Sequence, residues 1–138
     1  MWGIVREDEG RIEGNIGRNP RDRMQMTVFP EGDQGKTAVT HYSVLERLGY
    51  VTLVKCRLET GRTHQIRVHM KYIGHPLPGD FLYNPDFRYI RRQALHSVRL
   101  SFPHPFTGEV LIFSAPLPED MARLVGEYHE HKEESSPC

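Results

Sequence analysis

The chain has 138 residues and a mass of 16.0 kDa, the size of one domain that can bury a core without disulfides or metals. Hydrophobic residues make up 38% and charged residues 26%, which argues against a disordered chain. The only cysteines, Cys56 and Cys138, argue against a disulfide framework. With neither a transmembrane-length apolar run nor a signal-peptide pattern, the sequence predicts a cytoplasmic protein without a membrane partner.

Charge is unevenly distributed along the chain, although the net charge is zero. Residues 1–116 carry 16 basic and 12 acidic residues, whereas residues 117–138 carry 2 and 6. The net charge gives no support to nucleic-acid binding. A mildly basic body with a solvated, acidic helical tail accounts for the distribution.

Hydrophobic patterning predicts an α+β domain with a mixed, mainly antiparallel sheet and flanking helices. The residues up to about Gly35 are expected to form loops with short extended pieces. Further along, the sequence predicts strands over 37–47, 51–58, 95–102 and 110–113, and helices over 63–73 and from 118 onward. The first two of these strands form a hairpin, Thr63 caps the first helix, and the apolar strand at 110–113 is expected to be buried.

The first predicted helix carries two kinds of side chain. Helical spacing predicts an apolar seam of Ile66, Met70 and Ile73, and a cationic, hydrogen-bonding face of His64, Arg67 and Lys71. The glycine turn before this helix would direct backbone N–H groups toward a phosphate or carboxylate. The same residues also fit ordinary surface charges with a locally capping His64, and the spacing leaves both interpretations open.

Other kinds of active site find little support. The eight histidines show no His-Glu-x-x-His pattern and no Cys-x-x-Cys pair occurs, so no metal site is predicted. Gly-x-Ser-x-Gly, Walker A and Gly-x-Gly-x-x-Gly sequences are missing as well. Cys56 is expected to be a packed core thiol. Asp80 follows a proline-glycine turn, which favours an Asx turn or a helix cap over a reactive carboxylate.

A second basic cluster lies near the start of the chain. Arg18, Arg21 and Arg23 fall within six residues of a predicted loop. Such a loop can follow a phosphate backbone, and it can equally be a solvated surface loop.

Taken together, these segments resemble the RluA family of RNA pseudouridine synthases. The resemblance runs over about residues 3–120, with the segments in the family's order and spacing. It rests on the arginine-rich loop at 14–24, GKTAVTHY at 35–42, LETGRTHQIRVH at 58–69, IGHPLPGDFLY at 73–83, QALH at 93–96, and the FPHP and TGE sequences at 102–105 and 107–109.

One departure from the family is pronounced. The family's catalytic aspartate belongs to an H-R-L-D motif, and no such sequence occurs in this chain. The resemblance therefore implies that residues 1–120 are the C-terminal portion of a catalytic domain, followed by an acidic helix and frayed tail at 121–138. A truncated piece, a proteolytic remnant and a naturally short protein all fit this pattern.

The resemblance implies isomerisation of uridine to pseudouridine in RNA, ribosomal RNA more than transfer RNA, without a metal or organic cofactor. Arg62 would be the catalytic residue of this chain, pairing with the absent aspartate. The other implied residues would shape the pocket or contact RNA: His64, Gln65, Arg67, Leu95, His96, Arg18, Arg21 and Arg23.

Alternatives remain from other functional classes. Without the aspartate, the chain also fits a non-catalytic RNA-binding remnant. A third alternative is a domain that does not bind RNA and whose charged residues are ordinary surface residues. A half-domain would expose a sheet edge and apolar surface, which predicts association with a missing N-terminal half or with itself.

Overall fold

The computed structural model describes residues 1–29 and 34–134, with side chains described up to residue 126. The chain divides into two compact units, Met1–Ala94 and Leu95–Cys138. The predicted division at residue 120, between a family region and a tail, stays a prediction.

The observed elements confirm the predicted α+β class. Every described strand pairing is antiparallel, and the strands form three small sheets instead of one. The elements are β1 (Glu9–Glu13), β2 (Asn15–Arg18), β3 (Met26–Phe29), β4 (Val39–Arg47), β5 (Thr52–Leu58), α1 (Gln65–Tyr72), β6 (Arg99–Pro103), β7 (Val110–Ser114) and α2 (Glu119–Glu134).

A three-stranded sheet of order β1-β4-β5 forms one side of the first unit. The predicted β4–β5 hairpin is confirmed, and Gly49 takes a positive φ of 88° in its turn, where a side chain would be strained. The short extended pieces predicted before Gly35 are confirmed as β1, β2 and β3, each four or five residues long. Only Ile12 is buried in β1, so the segment gives almost no alternating signal, and pairing with β4 makes it a strand.

The second sheet, the β2–β3 hairpin, carries part of the core. Buried side chains of Ile16, Ala38, Val68 and Tyr83 pack together there. Helix α1 contacts β3 and β4, so this core holds the helix against both sheets. The arginine-rich loop joins the two strands of this hairpin.

Helix α1 begins one residue later than a helix capped by Thr63 would, and Thr63 does not cap it. The N-cap is His64, with a φ of 55° and no side-chain capping bond. In the predicted apolar seam Met70 is buried, but Ile66 and Ile73 are only partly buried. Of the two interpretations left open for the cationic face, that of an ordinary surface charge is wrong at Arg67, because its side chain is buried against an acidic partner.

The second unit contains the β6–β7 hairpin and α2. Strand β6 begins at Arg99, four residues later than predicted, and β7 is not buried, since Val110, Ile112 and Phe113 are exposed. A two-stranded ribbon cannot cover both of its own faces. The predicted apolar side of α2 is confirmed by the buried Leu124. The predicted frayed end lies outside the described residues.

No helix among the described residues is both long enough and apolar enough to cross a membrane.

Candidate active site around the first helix

The turn before α1 is shaped by the buried Gln65 side chain. Its Oε1 accepts hydrogen bonds from the Thr60 hydroxyl at 2.7 Å and the Arg62 backbone N–H at 3.0 Å. Its Nε2 donates to the Val39 carbonyl and the Thr40 hydroxyl oxygen, both at 2.9 Å. With only 3% of its surface exposed and every polar atom paired, Gln65 positions the turn from within. Gln65 is predicted either to shape the pocket or to contact RNA, and a buried side chain is compatible with the first role and not with the second.

His69 continues this network into the core. Its Nδ1 lies 2.8 Å from the Thr40 hydroxyl oxygen and its Nε2 lies 3.0 Å from the Gly14 carbonyl oxygen. Nε2 must carry the proton, because a carbonyl can only accept, and the Thr40 hydroxyl then donates to Nδ1. Burial lowers the pKa of His69 although the bond to Gly14 acts to raise it. A neutral imidazole therefore completes the network.

Arg62 lies on the open side of this turn. Its side chain is half-exposed and its Nε donates to the Thr37 carbonyl at 2.8 Å. Among the described hydrogen bonds this is the one made by the Arg62 side chain, so the two terminal nitrogens can still bind a partner. A guanidinium held at one edge is suited to bidentate binding of a carboxylate or phosphate.

Below the turn, Arg67 forms a buried ion pair with Asp80. Arg67 Nε and Nη2 donate to the two carboxylate oxygens at 2.7 and 2.8 Å, and the two side chains are 8% and 0% exposed. Burial alone would raise the pKa of Asp80, but hydrogen bonds from Arg67 and from the Leu82 and Tyr83 backbones outweigh it and lower the pKa. The predicted Asx turn is confirmed, since Asp80 Oδ1 accepts from the Leu82 N–H. Arg67 thus belongs to the wall of the site.

His64 and Tyr83 join across the site. Nδ1 of His64 lies 2.9 Å from the Tyr83 hydroxyl oxygen, which also accepts from the Met26 backbone N–H at 2.8 Å. The tyrosine hydroxyl can donate to Nδ1, because burial, with the charge of Arg67, lowers the pKa of His64 and favours the neutral ring. Among the described residues, His64 is the one non-glycine with a positive φ. Such a conformation persists where the surroundings enforce it.

The arginine-rich loop between β2 and β3 is ordered by its own hydrogen bonds. The Arg18 guanidinium donates to the Arg23 carbonyl at 2.6 Å, and the Arg21 N–H donates to Asn19 Oδ1 at 2.9 Å. All three arginines are exposed. The loop therefore presents a fixed, cationic surface to solvent.

This loop is tied to the segment after Asp80. Gln25 Nε2 donates to the Leu82 carbonyl at 2.7 Å, and the next residue, Met26, bonds to Tyr83. Tyr83 thus connects the arginine-rich loop to the turn before α1. The structure brings together the predicted residues Arg18, Arg62, His64, Gln65 and Arg67 within one unit.

Leu95 and His96 belong to the second unit, where His96 Nε2 lies 3.4 Å from the Ala115 carbonyl oxygen. Their predicted place in the same pocket as Arg62 stays a prediction. A separate cavity of about 360 Å³ lies over β1, next to Tyr42 and Tyr72. The described residues contain no group of three metal-ligating side chains.

The sequence motifs are also found in known proteins. The family model for RNA pseudouridylate synthase matches residues 2–72, which is more than half of the chain and includes the turn, Arg62 and all of α1. The chain belongs to the RNA pseudouridylate synthase family. The resemblance predicted from the motifs is therefore confirmed.

Curated relatives in this pseudouridylate synthase family match most of the chain. The uncharacterized RNA pseudouridine synthase YlyB of Bacillus subtilis is 57% identical over 129 residues, covering 91% of this chain and 41% of its own length. A ribosomal large subunit pseudouridine synthase D of Neisseria meningitidis is 48% identical over 135 residues, covering 89% of this chain and 35% of its own length. The chain thus spans about two fifths of the length of these relatives.

A solved structure shares the fold. Human RNA pseudouridylate synthase domain containing 1 aligns with a TM-score of 0.70 and 28% identity, over 99% of this chain and 63% of that one.

Sequence patterns leave part of this candidate site unpredicted. Tyr83, Thr40 and His69 lie inside the motif segments, but no role is predicted for them there, and Asp80 is expected to form an Asx turn or a helix cap. The available signal was their place in those segments. Helical spacing puts Arg67 and His69 on polar faces, and only the folded chain shows both to be buried.

Proposed function

We propose that residues 1–138 form the part of an RNA pseudouridine synthase that holds the catalytic carboxylate and binds the RNA around the target uridine. The observation that carries this proposal is the exposed edge of Arg62, fixed by the Thr37 carbonyl on a turn that Gln65 holds from inside. Family membership gives this geometry its chemical meaning.

The proposed reaction isomerises a uridine without changing its composition. The bond between C1′ of the ribose and N1 of the base breaks, the base turns, and C1′ joins C5. The C5 proton leaves and N1 gains a proton, so atoms and charge balance. The target base must leave its stack to reach the catalytic group, and the protein has to hold the RNA open while it does so.

Asp80 does not supply the catalytic carboxylate in this proposal. It is fully buried, and the pair with Arg67 and two backbone N–H groups occupy both of its oxygens. We infer that the aspartate comes from a segment outside residues 1–138. Arg62 then keeps that carboxylate ionised and oriented, because a neighbouring cation favours the charged form.

RNA binding is assigned to the ordered loop that carries Arg18, Arg21 and Arg23. Exposed guanidinium groups on a fixed loop can pair with phosphates without a large entropic cost. Ribosomal RNA is the proposed substrate, supported by the names of several relatives as ribosomal large subunit pseudouridine synthases. A cytoplasmic location is proposed with it.

The proposal is tested by tritium release from RNA labelled at uridine C5. The chain is assayed alone and with an aspartate-containing N-terminal half taken from the YlyB relative. We expect no release by either piece alone and release from the mixture, with Arg62→Ala silent in the same mixture.

Two results would change the assignment. Release by residues 1–138 alone would mean that the carboxylate lies within this chain. Salt-dependent RNA binding by a chain that no N-terminal half activates would favour the non-catalytic RNA-binding alternative.

A further inference from the structure

An exposed aromatic ring lies beside the candidate site without a role in the proposed reaction. Phe81 directly follows Asp80 in the chain, and 58% of its surface is exposed. It is separated by one residue from Tyr83, which is buried. Water contact of this extent is unfavourable for a phenyl ring, so a ligand that covers it would gain apolar burial.

The ring is held in place from beneath. The guanidinium carbon of Arg67 lies 5.5 Å from the centroid of the Phe81 ring and 5.1 Å from that of Tyr83. Arg67 cannot swing away, because Asp80 binds it through two hydrogen bonds. The same carboxylate accepts the backbone N–H groups of the two residues after Phe81. Phe81 is therefore preorganised on both its ring and its backbone.

The neighbours of this ring are cationic, since Arg67 lies over both Phe81 and Tyr83, and further cations lie around Tyr83 and His64. The exposed Lys71 places its Nζ 5.7 Å from the Tyr83 ring centroid. Arg18, at the start of the arginine-rich loop, is close enough to His64 to act on its charge state. An aromatic ring flanked by exposed cations is the combination that binds single-stranded nucleic acid, by base stacking and phosphate pairing.

We propose that Phe81 is a stacking platform for an unpaired RNA base, with Lys71 pairing with a nearby phosphate. This inference rests on the proposed function and deepens it, because it gives the substrate a single-stranded stretch beside the target uridine. Positive charge around the ring favours RNA over an apolar protein partner. Stacking accepts every base, so the platform contributes affinity for unpaired RNA and little sequence preference.

The test compares Phe81→Ala with Phe87→Ala. Phe87 is an exposed ring of the same unit, and no cation is described over its face. A fluorescent single-stranded uridine dodecamer and an RNA duplex of equal length are titrated by anisotropy at several salt concentrations.

We expect Phe81→Ala to weaken single-strand binding by about 5- to 100-fold, with the salt dependence unchanged, since stacking releases no counterions. Duplex binding should stay the same for both variants, and Phe87→Ala should bind like the unsubstituted chain. Lys71→Ala should lower the salt slope by about one phosphate contact.

A dodecamer carrying 5-iodouridine supplies a second measurement. Irradiation should crosslink the peptide that contains Phe81. Equal affinity of Phe81→Ala and the unsubstituted chain, or crosslinks only elsewhere, would overturn the platform while leaving tritium release by the complemented enzyme intact. Complete failure of RNA binding would count against both this inference and the proposed function. A changed oligomeric state of Phe81→Ala in sedimentation, with RNA affinity retained, would assign the ring to a protein interface and overturn the platform.

Discussion

The hydroxyl oxygen of Tyr83 lies 2.9 Å from Nδ1 of His64, and this hydrogen bond joins the turn before α1 to the segment that anchors the arginine-rich loop. The same hydroxyl accepts the Met26 N–H, so one oxygen fixes two backbone segments far apart in sequence. The bond also accounts for the left-handed backbone of His64, which has no capping bond of its own. The Tyr83 hydroxyl thus supports both the turn before α1 and the strand that follows the arginine-rich loop.

Tyr83→Phe removes that oxygen and keeps the ring over Arg67. We expect a loss of about 1–3 kcal/mol in the free energy of unfolding, because the Met26 N–H is left without its acceptor in a partly buried place. Urea unfolding measures the change. Tyr72→Phe, at an exposed position, is the matched control and should unfold like the unsubstituted chain. Equal stability of the two variants would show that water replaces the lost acceptor.

The Arg67–Asp80 pair predicts a larger effect. Arg67→Ala leaves a buried carboxylate without its cation, which should lower the free energy of unfolding by about 3–5 kcal/mol. Arg88→Ala is the control, since the exposed Arg88 side chain also pairs with a carboxylate, that of Asp86, through Nε and Nη2, and the loss of this surface pair should have little measurable effect. Similar unfolding midpoints for the two variants would contradict the assignment of Arg67–Asp80 as a buried structural pair.

Much of the fold follows from local patterns. The β-branched run from Val39 onward and the alternation up to Leu58 predict β4 and β5 almost to the residue. The helix around Met70 is also predicted from a local pattern, the helical spacing of its apolar residues. The bounds and the pairing of β1 cannot be predicted in this way, because its one buried residue, Ile12, gives no alternation and its pairing partner lies some 30 residues away in the chain.

The site shows the same limit. Arg62 is identified by its motif, and the structure places its side chain against the Thr37 carbonyl, while its catalytic role stays a prediction. Arg67 is placed on a surface by helical spacing, but Asp80, 13 residues later, folds back to bury it. Local periodicity predicts neither the contact of Asp80 with Arg67 nor the hydrogen bond of Tyr83 with His64, because both join residues well separated in the sequence.

Stability should depend on pH through His69 and His64. The pKa of each is lowered below its usual 6.5, mainly by burial, so the folded chain binds protons less readily than the unfolded chain. The contribution of these two histidines to the free energy of unfolding should therefore be fully present above about pH 6.5 and should fall as the pH drops below it. Urea unfolding between pH 5 and 8 measures this slope. His64→Asn, at the more exposed site, should reduce the slope, and a flat profile for the unsubstituted chain would contradict the neutral His69 network.

Arg62 predicts a separation of activity from stability. Its side chain makes one described hydrogen bond from a half-exposed position, so Arg62→Ala should unfold nearly as the unsubstituted chain does. In the complemented tritium-release assay we expect its rate to fall by about 100-fold or more, as when one preorganised charged group is removed from an active site. Arg62→Lys keeps the charge without the planar guanidinium, so its rate should lie between those of Arg62→Ala and the unsubstituted chain. Full activity of Arg62→Ala would remove the arginine from the mechanism.

The arginines of the β2–β3 loop should not be equivalent. Arg21→Ala and Arg23→Ala should each weaken RNA binding and lower its salt slope by about one, because each removes one exposed cation. Arg18→Ala should weaken binding more, since the Arg18 guanidinium also holds the Arg23 carbonyl and thereby the shape of the loop. Arg11→Ala, an exposed arginine on β1, is the control. If the three loop variants weaken binding equally while Arg11→Ala does not, the loop acts only through its charge, and its ordered shape has no part in binding RNA.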